Sequence, residues 1–179
     1  YAGNNSSRPR LIINEKTMEA LVKDLEKHFH TKRIKDSENV VYMNDCADSF
    51  MELIDFLKNE GLILISLFAV ENFEKPGFSL MYIFEKKPSA KLLAFNLSLK
   101  DKQAVSIARI FPIACYFERE IRDGFGIEFA GAFDKRRLFL HEAYPDDCHP
   151  LLKSFKNGYL DLTPGEQKGK EYKFKAVEG

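Results

Sequence analysis

Cys148 and His149 are adjacent, with His141 a little upstream, and together they are the best candidates in the chain for a thiol nucleophile or a metal ligand set. A Cys–His nucleophile needs the two side chains side by side in space, with a third group to orient the imidazole. Neighbours in sequence seldom achieve this. A zinc site draws about four ligands from C-x₂₋₄-C or H-x₃₋₅-H spacings, and these mismatched loop residues fall short of that. Glu118 and Glu120 are the nearest approach to a carboxylate pair, yet at i,i+2 they leave a helix on different sides. His28 and His30 flank Phe29 near a helix end, where histidines interact with the C-terminal carbonyls. Cys46, Cys115 and Cys148 are the only thiols, whereas an iron–sulfur cluster takes about four. These residues predict no catalytic, cofactor or metal site. The alternative they leave open is a small thiol-dependent enzyme built on Cys148 and His149.

The densest charge lies in Glu118-Arg119-Glu120-Ile121-Arg122-Asp123. Ile113, Ala114, Phe117 and Ile121 recur there at helical spacing and predict an amphipathic helix from about Phe111 to Asp123. On it Glu118 faces Arg122 and Arg119 faces Asp123, pairs worth roughly 0.2–0.5 kcal/mol each. Gly124 and Gly126 are natural stops, since either takes a left-handed conformation at no steric cost. Asp134, Lys135, Arg136 and Arg137 follow closely, and an arginine fork suits bidentate carboxylate pairing across an interface.

Around this segment the periodicity predicts an α+β fold, a mostly antiparallel sheet packed with about three helices and an irregular C-terminal tail. Met18, Leu21, Val22, Leu25 and Phe29 mark a first helix capped by Asn14 or Thr17. Val40–Tyr42 is a short strand. A second helix runs from about Asp48 to Asn59, with Gly61 past its end. Leu62–Asn72 and Phe78–Lys86 form a hairpin about Pro76-Gly77, and Lys91–Leu99 adds a strand. A short helix is expected near Lys102–Ile110, after which Pro112 either begins a new helix or kinks one capped by Ser106. Residues 1–12 read as a flexible lead-in, 13–160 as one domain, and 161–179 as a linker or tail.

Composition narrows the function. Lys+Arg and Asp+Glu both total 27, and this balance argues against a nucleic-acid binder or a lipid-surface protein. No apolar run reaches the ~18–20 residues of a membrane helix, so membrane association is expected only through partners. Three widely spaced cysteines fit a reducing compartment with free thiols. No glycine-rich loop joins a strand to a helix, which leaves neither a dinucleotide fold nor a P-loop.

The order Ser106, Pro112, Ala114, Tyr116, then Glu118-Arg119-Glu120, Asp123, Phe125-Gly126-Ile127, Gly131, Asp134–Leu138, Pro145 and His149-Pro150-Leu151-Leu152-Lys153-Ser154-Phe155 is specific. It resembles the thirty-kilodalton subunit of respiratory NADH dehydrogenase (complex I), and the matching domain of formate-hydrogenlyase-type hydrogenases. The resemblance covers roughly Ala47 to Phe155. Ala132, Leu152 and Ser154 depart from the family's histidine, arginine and aspartate, which suggests a divergent branch or a changed partner surface. The loop Leu140–Pro145 and the tail Glu171–Gly179 look closer to the hydrogenase branch, where this domain is the N-terminal part of a large subunit.

The resemblance implies a non-catalytic scaffold of a membrane-associated oxidoreductase, cytoplasmic and peripheral to the inner face of the cell membrane. Its partners would be a nickel–iron-hydrogenase-like large subunit and small iron–sulfur subunits. The iron–sulfur clusters, and nickel–iron if present, would reside in those partners. Glu118, Arg119, Glu120, Asp123, Arg136 and Arg137 are then expected to form a charged interface and internal latch, with His149 and Lys153 as further interface residues.

Overall fold

The computed structural model describes residues 17–29, 31–44, 49–72, 76–89, 91–141 and 144–156. Asn14, His30, Cys46, Asp48, the lead-in and the tail lie outside them. Helix α1 (Met18–His28) begins where Thr17 accepts a hydrogen bond from the Ala20 amide at 3.3 Å. Glu19 in its first turn and Lys27 and His28 in its last complement the helix dipole. Leu21, Val22 and Leu25 lie on one stripe and are fully buried. Helix α2 (Phe50–Asn59) buries Phe50, Leu53, Ile54 and Leu57 in the same way. At its C-terminal end the Lys86 ammonium donates to the Glu60 carbonyl at 2.6 Å.

Five strands form the main sheet, β1 (Lys32–Asp36), β2 (Val40–Asn44), β3 (Ile63–Glu71), β4 (Phe78–Glu85) and β5 (Leu92–Leu99), in the order β1-β2-β5-β4-β3. β2 and β5 run parallel and the other pairs antiparallel. Alternation sorts the two faces. Leu80, Tyr82 and Phe84 stand opposite Leu97, Phe95 and Leu93, and this face is the core. α2 lies on it through Phe50 and Tyr82, whose rings are 5.2 Å apart, and α1 joins through Phe29 and Phe56 at 5.3 Å. The architecture is α+β.

Past β5 the chain departs from expectation. Gln103–Val105 is a strand, β6, and not a short helix; it pairs in parallel with β7 (Glu128–Ala130). Ala104, Ile107 and Ala108 are all buried at helix-like spacing, but they belong to a strand and the turn after it. Pro112 sits in the turns that lead directly into α3 (Ala114–Phe125), so a new helix follows it, and no helix runs from Ser106 for it to kink. Gly126, at φ +71°, is the left-handed cap, whereas Gly124 is inside the helix. α3 leans on the sheet through Phe125 against Phe78, with ring centres 6.3 Å apart.

Candidate docking site

The charged face of α3 does not pair with itself. Glu118 is 3% exposed and turns inward: its carboxylate accepts from the Ser106 hydroxyl at 2.7 Å and the Ile107 amide at 2.9 Å. Ser106 Oγ in turn accepts from the Ala108 amide at 3.2 Å. One carboxylate thus fastens the 106–108 turn to the helix, supplying acceptors for a buried amide and hydroxyl that would otherwise lack them. Burial lifts the Glu118 carboxyl above its ordinary value of 4.5, partly offset by these hydrogen bonds.

A folded-state value above the unfolded one means that the fold binds this proton more tightly than the unfolded chain does. The stability it confers is full below about pH 4.5 and is lost as pH rises through the folded value. Glu118→Gln does not titrate, so the stability fall between about pH 4.5 and pH 7.5, followed by urea denaturation, is expected to shrink in the variant. An equal or steeper fall in the variant would show that Glu118 carries no such linkage.

Asp123, 5% exposed, also points into its own chain. Its Oδ2 accepts from three successive amides, those of Leu138, Phe139 and Leu140, at 2.7, 3.0 and 3.4 Å. The backbone just beyond completes the fastening. The Asp123 carbonyl lies 3.1 Å from His149 Nδ1, and the Gly124 carbonyl accepts from the Leu151 amide at 3.0 Å. Both glycines are explained by this approach. A Cβ at Gly124 would stand 2.6 Å from Leu151 Cδ1, and one at Gly126 would stand 2.6 Å from His149 Cδ2. The G-x-G and H-P-L segments are therefore two halves of one contact.

Arginines tie down the rest. Arg119 donates to the carbonyls of Arg136 and Arg137, both at 2.8 Å, and lies 3.3 Å from Asp134. Arg122 donates to the Lys135 carbonyl at 2.6 Å and pairs with Glu128 at 2.8 Å. Arg137 donates to the Pro145 carbonyl at 2.8 Å. The expected i,i+4 pairs, Glu118–Arg122 and Arg119–Asp123, are thus replaced by tertiary partners. Several tertiary hydrogen bonds, to the carbonyls of 135–137 and 145 and from the half-buried amides of 138–140, outweigh the few tenths of a kcal/mol that an i,i+4 pair contributes.

Of the other predicted residues, Glu120 is exposed and Arg136 has a side chain 80% exposed. Lys153 meets the sheet through its backbone amide, which donates to Glu71 at 2.7 Å. Cys148 is 3% exposed, and burial pushes its thiol up, away from the thiolate a nucleophile requires. His149 faces the end of α3. Among the described residues no three His, Cys, Asp or Glu side chains gather in a metal-binding group. Sequence reasoning missed the exposed apolar residues of this region, Phe133 at 66%, Phe139 at 67% and Leu151 at 55%. Their apolar character was visible, but their exposure depends on a loop whose fastening is tertiary.

This fold and this fastened loop define a class. The profile described as "Respiratory-chain NADH dehydrogenase, 30 Kd subunit" matches residues 46–159, and the chain belongs to that family. Among its relatives, the membrane-bound hydrogenase subunit beta of Pyrococcus furiosus is 37% identical over 73 residues, 40% of this chain and 42% of that protein. A subunit of the NADH-quinone oxidoreductase of Cereibacter sphaeroides is 29% identical over 121 residues, 64% of this chain and 60% of that protein. The chain thus spans less than two thirds of either relative. A chain in the structure of the membrane-bound sulfane sulfur reductase, an archaeal respiratory membrane complex, superposes with a TM-score of 0.67. That likeness covers 89% of this chain and 98% of the other at 20% identity, and it establishes a shared fold. No helix among the described residues is long and apolar enough to cross a membrane.

Proposed function

We propose that this chain is a non-catalytic scaffold, a subunit or domain of a membrane-associated complex I-like oxidoreductase, which docks on a nickel–iron-hydrogenase-like large subunit. Family membership supports a subunit role. The observation that carries the docking role is how the charge is spent: Glu118, Arg119, Asp123 and Arg137 are directed into the chain itself. Arg119, Asp123 and Arg137 hold a loop that presents Phe133, Arg136 and Phe139 to solvent, and the Gly124 carbonyl holds the segment that presents Leu151. Ordering a loop in order to expose large apolar groups costs stability in an isolated domain, and such patches mark protein–protein contacts.

The internal charges serve as the latch and the exposed residues as the interface. Electron transfer is assigned to iron–sulfur clusters, and to nickel–iron, in the partner subunits, because three cysteines cannot ligate a cluster of about four thiolates. The chain sits in the cytoplasm at the inner face of the membrane, held there by its partners. The hydrogenase branch is favoured by the Leu140–Pro145 loop and by the name of the Pyrococcus furiosus relative.

Cys148→Ser in the assembled complex separates this role from that of a thiol enzyme. Turnover is expected to stay within about twofold of wild type, since a buried thiol that touches no substrate acts only through packing. Loss of turnover with assembly intact would transfer the function to Cys148.

A further inference from the structure

Resting on the docking role proposed above, we infer that Arg136, flanked in sequence by Phe133 and Phe139, is the outward contact of the loop and receives a carboxylate from an apolar surface of a partner subunit. The neighbouring arginines are already committed. Arg119, Arg122 and Arg137 donate to backbone carbonyls of their own chain. Asp134 is one carboxylate shared by two guanidinium groups, Arg119 at 3.3 Å and Arg136 at 2.8 Å, so the trio carries an excess positive charge. The Arg119 side chain is 13% exposed and that of Arg136 is 80% exposed, so the excess is displayed at Arg136.

The geometry also holds Arg136 ready. Its Nε and Nη2 donate to the two oxygens of Asp134 at 3.0 and 2.8 Å, a bidentate grip that fixes the guanidinium plane. The opposite edge, formed by Nη1 and Nη2, has donors to spare for a second bidentate acceptor. Asp134 is held well below the usual carboxylate range, first by its hydrogen bonds from Arg136, so the grip persists at neutral pH. A preorganised arginine loses less side-chain freedom on binding. An exposed arginine with an exposed phenylalanine three positions to either side in sequence has the composition of an interface hot spot. A polyanion or an anionic lipid surface fits less well. Glu120, Glu128, Asp146 and Asp147 are all exposed on this part of the chain and would repel it.

The test uses the whole complex taken from native membranes and treated with a carbodiimide, which joins a lysine amine to a carboxylate but leaves arginine untouched. In the Arg136→Lys variant, a new link is expected from position 136 to an Asp or Glu of a partner subunit, absent from wild type. Arg136→Gln, which keeps a polar side chain but removes the charge and the guanidinium fork, is expected to lower retention of the partner about tenfold in salt washes. A link formed only to Asp134 within the chain, or retention of Arg136→Gln equal to wild type, would overturn the inference. Failure of the wild-type chain to retain any partner would instead overturn the docking role itself.

Discussion

Asp123→Ala is expected to destabilise the chain by about 2–4 kcal/mol, the largest effect of any single charged residue here. A charged hydrogen bond contributes about 1.5–3 kcal/mol, and this carboxylate accepts three, although water can reclaim part of the loss at half-buried amides. The Leu138, Phe139 and Leu140 amides all converge on its Oδ2. The deficit should appear as a lowered midpoint in urea denaturation and as faster hydrogen exchange of those three amides. Asp123→Asn keeps one acceptor oxygen and should recover roughly half of the stability. Unchanged exchange at 138–140 in the alanine variant would mean that the loop is held without Asp123.

Gly126→Ala ranks second, with an expected cost of about 2–3 kcal/mol. Two effects add. The backbone stands at φ +71°, where a Cβ costs about 1–2 kcal/mol. The new methyl would also press on the His149 ring, 2.6 Å from its Cδ2, and drive it from the Asp123 carbonyl. A double-mutant cycle separates the two, because His149→Ala removes the ring and leaves the backbone effect alone. Gly126→Ala made in the His149→Ala background is expected to cost about 1 kcal/mol less than in wild type. Full additivity of the two substitutions, by thermal or urea denaturation, would show that the ring and the glycine do not interact.

The parts of the fold legible in the sequence were those whose burial follows a regular period. α1, α2 and the β3–β4 hairpin have long apolar patterns, and Leu80, Tyr82 and Phe84 alternate as a strand face must. β1 escaped notice because Lys32–Asp36 is an edge strand, mostly exposed, with a polar composition. β6 and β7 span three residues each and form a two-stranded sheet among the described residues, too short to show a period. Between them, Ala104, Ile107 and Ala108 copied the spacing of a helix while serving a strand and a turn.

The candidate site was legible as composition and not as wiring. Glu118, Arg119, Asp123, Arg137 and His149 stood out as residues, yet the apparent i,i+4 partners were wrong. A helix shows which residues share a face, but not that a loop up to 26 residues away will supply the amides and the imidazole that meet it. Gly124 and Gly126 both looked like helix stops. Only the positions of Leu151 and His149 show that both glycines lie against the 149–151 segment, where an added Cβ would displace one side chain or the other.

The most direct test of the scaffold role is affinity capture of the intact chain from native membranes, with mass spectrometry and metal analysis of what accompanies it. Co-recovery of a nickel–iron-hydrogenase-like large subunit with iron–sulfur proteins is the expected result, and nickel in the eluate would select the hydrogenase branch. Recovery of this chain alone, at the same yield from membrane and soluble fractions, would contradict it.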